Sequence, residues 1–161
     1  KWRLNQTLTY SYQSHAAVIE MDSETGKFKI LKYAIVDDCG KQINPMIVEG
    51  QVHGAAAHGI GAAMYENCED DDEAQLKSST RVDYLIPTAL EVPDLVTESM
   101  ETPSLFAPKG IKGVGEGGGT PISAIANAVE DALTPFGVEI SDSHQNPQRI
   151  YELVVAKRKK A

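Results

Sequence analysis

From residue 17 to residue 36 apolar and polar positions alternate. Ala17, Ile19 and Met21 fall on every second position. After the polar stretch DSETG (22–26) the pattern resumes with Phe28, Ile30, Ala34 and Val36. A period of two puts one set of side chains on one face of a strand, so the stretch predicts a β-hairpin with those residues inward. Gly26 supplies the positive φ that a tight turn asks for. Residues 4–12 repeat the alternation more weakly and predict a further strand. VTESME (96–101) and GVEIS (137–141) each predict a short one.

Elsewhere the period lengthens. Residues 44–69 read as a long helix, with Asn44 as its N-cap and Pro45 at the first helical position. Its middle is crowded with small residues: Gly54, Ala55, Ala56, Ala57, Gly59, Gly61, Ala62 and Ala63. Each glycine costs a helix about 1 kcal/mol against alanine. The run therefore asks for close approach, either of a second helix or of a ligand, and the pattern leaves both open. A second helix starts at Thr120, read as its cap, and Pro121, and carries the stripe Ile122, Ile125, Ala126, Val129 and Leu133. A third opens at Asn146 and Pro147, with Ile150, Leu153 and Val154 apolar. Residues 69–80 are a charged, solvated loop, and residues 83–95 are apolar but broken by Pro87 and Pro93. Strands gathered early and helices later predict an α+β fold, antiparallel strands with packed helices, as one domain over 1–161.

Charge narrows the partners. The 161 residues carry a net charge of −8, which argues against nucleic acid as the main partner. The basic C-terminal run AKRKKA suits a helix C-terminus. No apolar run approaches the ~20 residues of a membrane span, and KWRLNQ has no apolar segment of the signal-peptide kind. Cys39 and Cys68 are far apart and unpaired by spacing, which predicts reduced thiols and a cytoplasmic setting. Cys39 is expected to be buried near a strand end. Asp37 and Asp38 are expected at solvated turn positions.

The chemistry concentrates in GVGEGGG (113–119), where Glu116 stands among five glycines before a helix. The spacing matches the dinucleotide fingerprint GxGxxG from Gly113 to Gly118, but the preceding SLFAPKGIK is a poor strand. No Lys-Ser/Thr follows, so a phosphate-cradling P-loop is excluded. Two readings of Glu116 stay open: a solvated loop carboxylate, or a group that something large approaches closely. In the second, the amides of residues 117–119 lead into a helix N-terminus, which favours anions, and Glu116 becomes a general base with a tuned pKa.

VEGQVHGAAAHGIGAAMYE (48–66) and KGVGEGGGTPISAIANAVEDAL (112–133), together with VDDCGKQINP (36–45) and DYLIPTALEVPDL (83–95), resemble the C-terminal part of the molybdenum hydroxylase large subunit. This is the xanthine dehydrogenase, aldehyde oxidase and aerobic carbon monoxide dehydrogenase family. The resemblance covers nearly the whole chain, with its segments in the family's order. It implies a molybdopterin-binding domain of a larger oxidoreductase subunit, with the cofactor present as the pterin or its cytosine dinucleotide. It implies that Glu116 is the general base beside the molybdenum, in oxidation of a small carbon substrate with water as the oxygen source. It implies that Gln51, Gly54, His58 and Gly59 on the helix, and Gly115, Gly117 and Gly118 in the loop, approach the cofactor. No protein ligand to the metal is implied. The remainder of the molybdenum subunit, an iron–sulfur subunit with 2Fe–2S clusters and an FAD subunit are the implied partners.

Two departures stand out. Many relatives have glutamine where this chain has His58, which leaves charge and tautomer at that position open. The chain is also several hundred residues shorter than a family large subunit. It is expected to be a separately encoded piece or an excised domain, unable to build the whole active site alone. His53 and His58 are five apart and point to different helix faces, so they make a poor metal pair. Asn127 is read either as bonding the loop or cofactor, or as ordinary packing. The competing functional class is a cofactor-free assembly or binding module.

Overall fold

The computed structural model describes residues 9–159. Its order is β1 (Tyr12–Met21), β2 (Phe28–Asp38), α1 (Pro45–Met64), β3 (Leu95–Ser99), α2 (Thr120–Leu133) and α3 (Pro147–Arg158). One three-stranded sheet, ordered β1-β2-β3, carries the helices against one face. The α+β expectation holds.

The hairpin forms where the alternation placed it. Its turn is closed by Gly26 N donating to Asp22 O at 2.8 Å, with Gly26 at φ 72°. The expected inward set holds except at Ala34 and Val36. Val18 faces Lys32 and Ile19 faces Ile30, so the register slips by one residue at Leu31. That bulge turns the strand over. Phe28 and Ile30 face inward before it, but Tyr33, Ile35 and Asp37 do so after it, leaving Ala34 and Val36 exposed.

Of the strand expected over 4–12, residues 1–8 lie outside the described residues, residues 9–11 are not strand, and Tyr12 opens β1. VTESME becomes β3, which pairs with β2 in parallel, Tyr33 opposite Leu95 through Asp37 opposite Ser99. The sheet is therefore mixed: α1 intervenes between β2 and β3, and a crossover connection of this length permits a parallel neighbour. GVEIS is not a strand. Val138 is buried in the core, but Ile140 N donates to Glu130 Oε2 at 2.9 Å instead of to a neighbouring strand.

Val52, Ala56, Ile60 and Ala63 recur at helical spacing along α1 and meet Ile125, Val129 and Leu133 of α2, Ile150 and Val154 of α3, and Ile30, Tyr33 and Ile35 of the sheet. Each large apolar side chain buried this way contributes roughly 1.5–3 kcal/mol. Asn44 caps α1 by accepting from Ile47 N at 3.3 Å, and Asn146 caps α3 by accepting from Arg149 N at 2.8 Å. Thr120 does not cap α2. The 3₁₀ turn Gly117–Gly119 feeds directly into the helix, Gly119 holds the cap position, and no side chain closes the N-terminus. Among the described residues no helix is long and apolar enough to cross a membrane.

Candidate cofactor-binding site

The glycine loop is pinned at both ends. Upstream, Lys112 N donates to Cys39 O at 2.9 Å and Gly113 N to Thr9 O at 2.9 Å. The Lys112 ammonium lies 3.2 Å from Asp38 Oδ1, with both side chains almost closed to solvent. Burial alone would raise the Asp38 pKa. The Thr102 hydroxyl and amide, the Gly40 amide and Lys112 outweigh it and hold the carboxyl well below the usual range. Both aspartates were expected in solvent, and both are buried: Asp38 in this pair, and Asp37, 2% exposed, accepting from Gln13 Nε2 at 2.8 Å. The bulge in β2 is what turns Asp37 inward.

Downstream, the loop rests on α1. A side chain at Gly59 would run into Gly118 O and the Pro121 ring, so Gly59 is the point where helix and loop backbones touch. Gly117 is likewise buried, against Gln13 and Ala55. These two glycines stand behind the wall of the site and hold it together.

In front of that wall a cavity of about 470 Å³ opens. From α1 it is lined by Gln51, Gly54, Ala55 and His58, and from the loop by Gly115, Glu116, Gly118 and Gly119. Gln51 Nε2 donates to Gly115 O at 3.3 Å, which ties the two walls. A side chain at Gly54, Gly115 or Gly119 would meet nothing within 4 Å, and none of the three has a positive φ. Neither packing nor backbone strain requires glycine there, and the missing side chains leave room. The residues therefore fit a large group that lies flat against backbone. The open N-terminus of α2, with Gly118 and Gly119 before it, gives the cavity a positive dipole end, and Glu116 is its carboxylate.

Gln51, Gly54, His58, Gly115, Glu116 and Gly118 line this one cavity together. Gly59 and Gly117 are adjacent but buried. His53 lies on another side of α1, 3.5 Å from Thr97 Oγ1. Asn127 is exposed on α2. The 3₁₀ turn Pro108–Gly110 and irregular chain, not a strand, precede the glycine loop, which removes the context a dinucleotide fingerprint needs. Ala55 was missed as lining, and Gly119 was read only through its amide at the α2 N-terminus. Gln13 was missed too, although it shares the odd positions of Ala17 and Ile19 in β1.

A sheet backed by small-residue helices, with a glycine-walled hollow and one carboxylate, defines a platform for a bulky anionic cofactor. Residues 1–93 match the Molybdopterin cofactor-binding domain family, and the chain belongs to that family of molybdenum hydroxylase large subunits. It is 38% identical over 143 residues to the nicotine 6-hydroxylase large subunit of Paenarthrobacter nicotinovorans, a match that covers 88% of this chain and 17% of that protein. It is 37% identical over 145 residues to the carbon monoxide dehydrogenase large chain of Hydrogenophaga pseudoflava, covering 89% and 18%. Among solved structures, quinoline 2-oxidoreductase from Pseudomonas putida 86 superposes with a TM-score of 0.83 at 43% identity, over 88% of this chain and 18% of that one. The chain spans less than a fifth of the length of these relatives.

Proposed function

We propose that this chain is the base-bearing part of a molybdenum-dependent hydroxylase or dehydrogenase that oxidises a small carbon substrate with water as the oxygen source. The observation that carries the reading is the position of Glu116: a carboxylate on the wall of a cavity that Gly54, Gly115 and Gly119, each with open space before it, also line. Gln51, Gly54, His58, Gly115, Gly118 and Gly119 would hold the molybdopterin. The anionic part of that cofactor is matched by the α2 N-terminus. When bound, the molybdenum–pterin supplies the two-electron redox chemistry.

The chain's own residues do three things. Glu116 accepts a proton at a carboxylate oxygen, the step for which general-base catalysis contributes about 10²–10⁴-fold. Gln51 and the α1 glycines set how closely a flat group can approach. The Lys112–Asp38 pair fixes where the loop begins. The remainder of the molybdenum subunit completes the pocket. Partner subunits carrying 2Fe–2S clusters and FAD would take up the electrons. Exposed apolar side chains on the outer sheet face, Val18, Leu31, Val36 and Val96, suit burial against the rest of such an assembly.

Glu116→Gln in the assembled complex tests this. Turnover should fall by about 10²-fold or more while molybdenum and pterin content stay at the wild-type level. Wild-type turnover in that variant would reject the assignment.

A further inference from the structure

We propose that Gln13, on β1, is a positioning residue for Glu116, and that the buried carboxylate of Asp37 exists to orient it. The inference rests on the role proposed for Glu116. Gln13 is half-buried on the inner face of the sheet, and its amide is tied at both ends. An ionised carboxylate only accepts, so Nε2 is the end that donates to Asp37 Oδ1 at 2.8 Å. That leaves Oε1 facing His15 Nε2 at 3.2 Å, where the imidazole must supply the hydrogen. His15 Nδ1 is then the acceptor for the Tyr33 hydroxyl at 2.9 Å, and the rings of His15 and Tyr33 meet edge to face. Burial favours the neutral imidazole this pattern needs, against the opposing charge of Asp37. Flipping the Gln13 amide would break the bonds at both ends.

The oriented amide lies against Gly117, the residue after Glu116. A side-chain carbon at Gly117 would fall 2.7 Å from both Gln13 Oε1 and Nε2, and 3.1 Å from Ala55 Cβ. The Gly117 backbone is therefore wedged between a fixed amide of the sheet and a methyl of α1. Gln51 holds Gly115 on the other side of Glu116. Asp37 itself calls for an explanation. It is 2% exposed, and its Oδ2 is buried with no hydrogen-bond partner among the described residues. A buried carboxylate left half satisfied costs stability, and what it visibly does is fix the amide that fixes the loop.

The test uses the assembled enzyme. Gln13→Met keeps the length of the side chain and removes both hydrogen bonds. Amide hydrogen exchange in the peptide spanning 113–120 should quicken about fivefold or more, while α3 and the 12–21 strand exchange as before. Turnover should fall about 10- to 100-fold in kcat with KM within about twofold and molybdenum content unchanged. Asp37→Asn replaces an obligate acceptor with a group that can also donate, so it should loosen the same peptide and lower kcat in the same direction. If Gln13→Met does not assemble, His15→Phe removes the amide's other anchor and should loosen the same peptide. Wild-type exchange and kcat in Gln13→Met, beside an inactive Glu116→Gln, would overturn the positioning role and leave the base standing. An active Glu116→Gln with a loosened loop in Gln13→Met would do the reverse.

Discussion

Lys112 and Asp38 meet at 3.2 Å in a pair whose side chains are only 6% and 10% exposed. The pair sits where the chain leaves the Gly40–Ile111 bridge and enters the glycine loop. Removing one partner strands a buried charge, which costs about 3–5 kcal/mol. Lys112→Met should therefore destabilise the domain by about that much in denaturant unfolding. Replacing both residues with apolar ones of similar size should cost much less, because no charge is then left unpaired. Equal losses in the single and double variants would mean that the pair is not what holds the loop.

The same pair sets an acid response. The Asp38 carboxyl is held below its ordinary value in the folded chain, so the unfolded chain binds its proton first as pH falls. Its contribution to stability is fully present above the unfolded pKa of about 4, and is lost as pH drops through the lower folded value. Asp38→Asn should flatten the decline of melting temperature between pH 5 and pH 2. An unchanged slope would show that other carboxylates govern acid unfolding.

Two glycines of α1 predict opposite outcomes. A side chain at Gly54 meets nothing, so Gly54→Leu should leave stability intact or raise it by up to about 1 kcal/mol through helix propensity. It also reaches into the cavity, so molybdenum and pterin content should fall. Gly59→Val drives a side chain into Gly118 O and Pro121, and should destabilise by about 1–3 kcal/mol or more. Metal analysis and melting curves on the two variants separate a glycine kept for space from one kept for packing. Full cofactor loading in Gly54→Leu would remove the case for this cavity.

Local patterns in the chain carried the hairpin, the three helices, the Asn44 cap and the loop with its carboxylate, because each rests on neighbours in sequence. What they could not carry depends on tertiary context. The bulge at Leu31 reverses which residues of β2 face inward. No periodicity announces it, so Ala34 and Val36 were assigned the core that Tyr33 and Ile35 fill. Asp37 and Asp38 looked like turn residues because their partners, Gln13, Thr102 and Lys112, lie 24 to 74 positions away. The run GVEIS has strand composition, but its Ile140 amide goes to the Glu130 carboxylate instead of to a strand. At the site, glycine content signalled close approach, yet only the packing tells Gly59, against backbone, from Gly54, against open space.

Cys39 offers a direct reading of the loop's anchor. Its thiol is buried, 4% exposed, while Cys68 is exposed. Burial pushes the Cys39 pKa up, and the neighbouring Asp37 carboxylate pushes it further. Alkylation needs both access and the thiolate, and Cys39 is short of both. Iodoacetamide should therefore leave Cys39 unmodified in the folded protein, as read by mass spectrometry of the peptide that carries it. The Cys39 carbonyl accepts from Lys112 N, so whatever frees the start of the glycine loop also uncovers this thiol. Lys112→Met should raise the Cys39 alkylation rate by about the factor by which it favours local opening, roughly tenfold for each 1.4 kcal/mol lost. Rapid labelling of Cys39 in the wild-type protein would mean that the anchor is open in solution and that the loop carrying Glu116 is not held from this end.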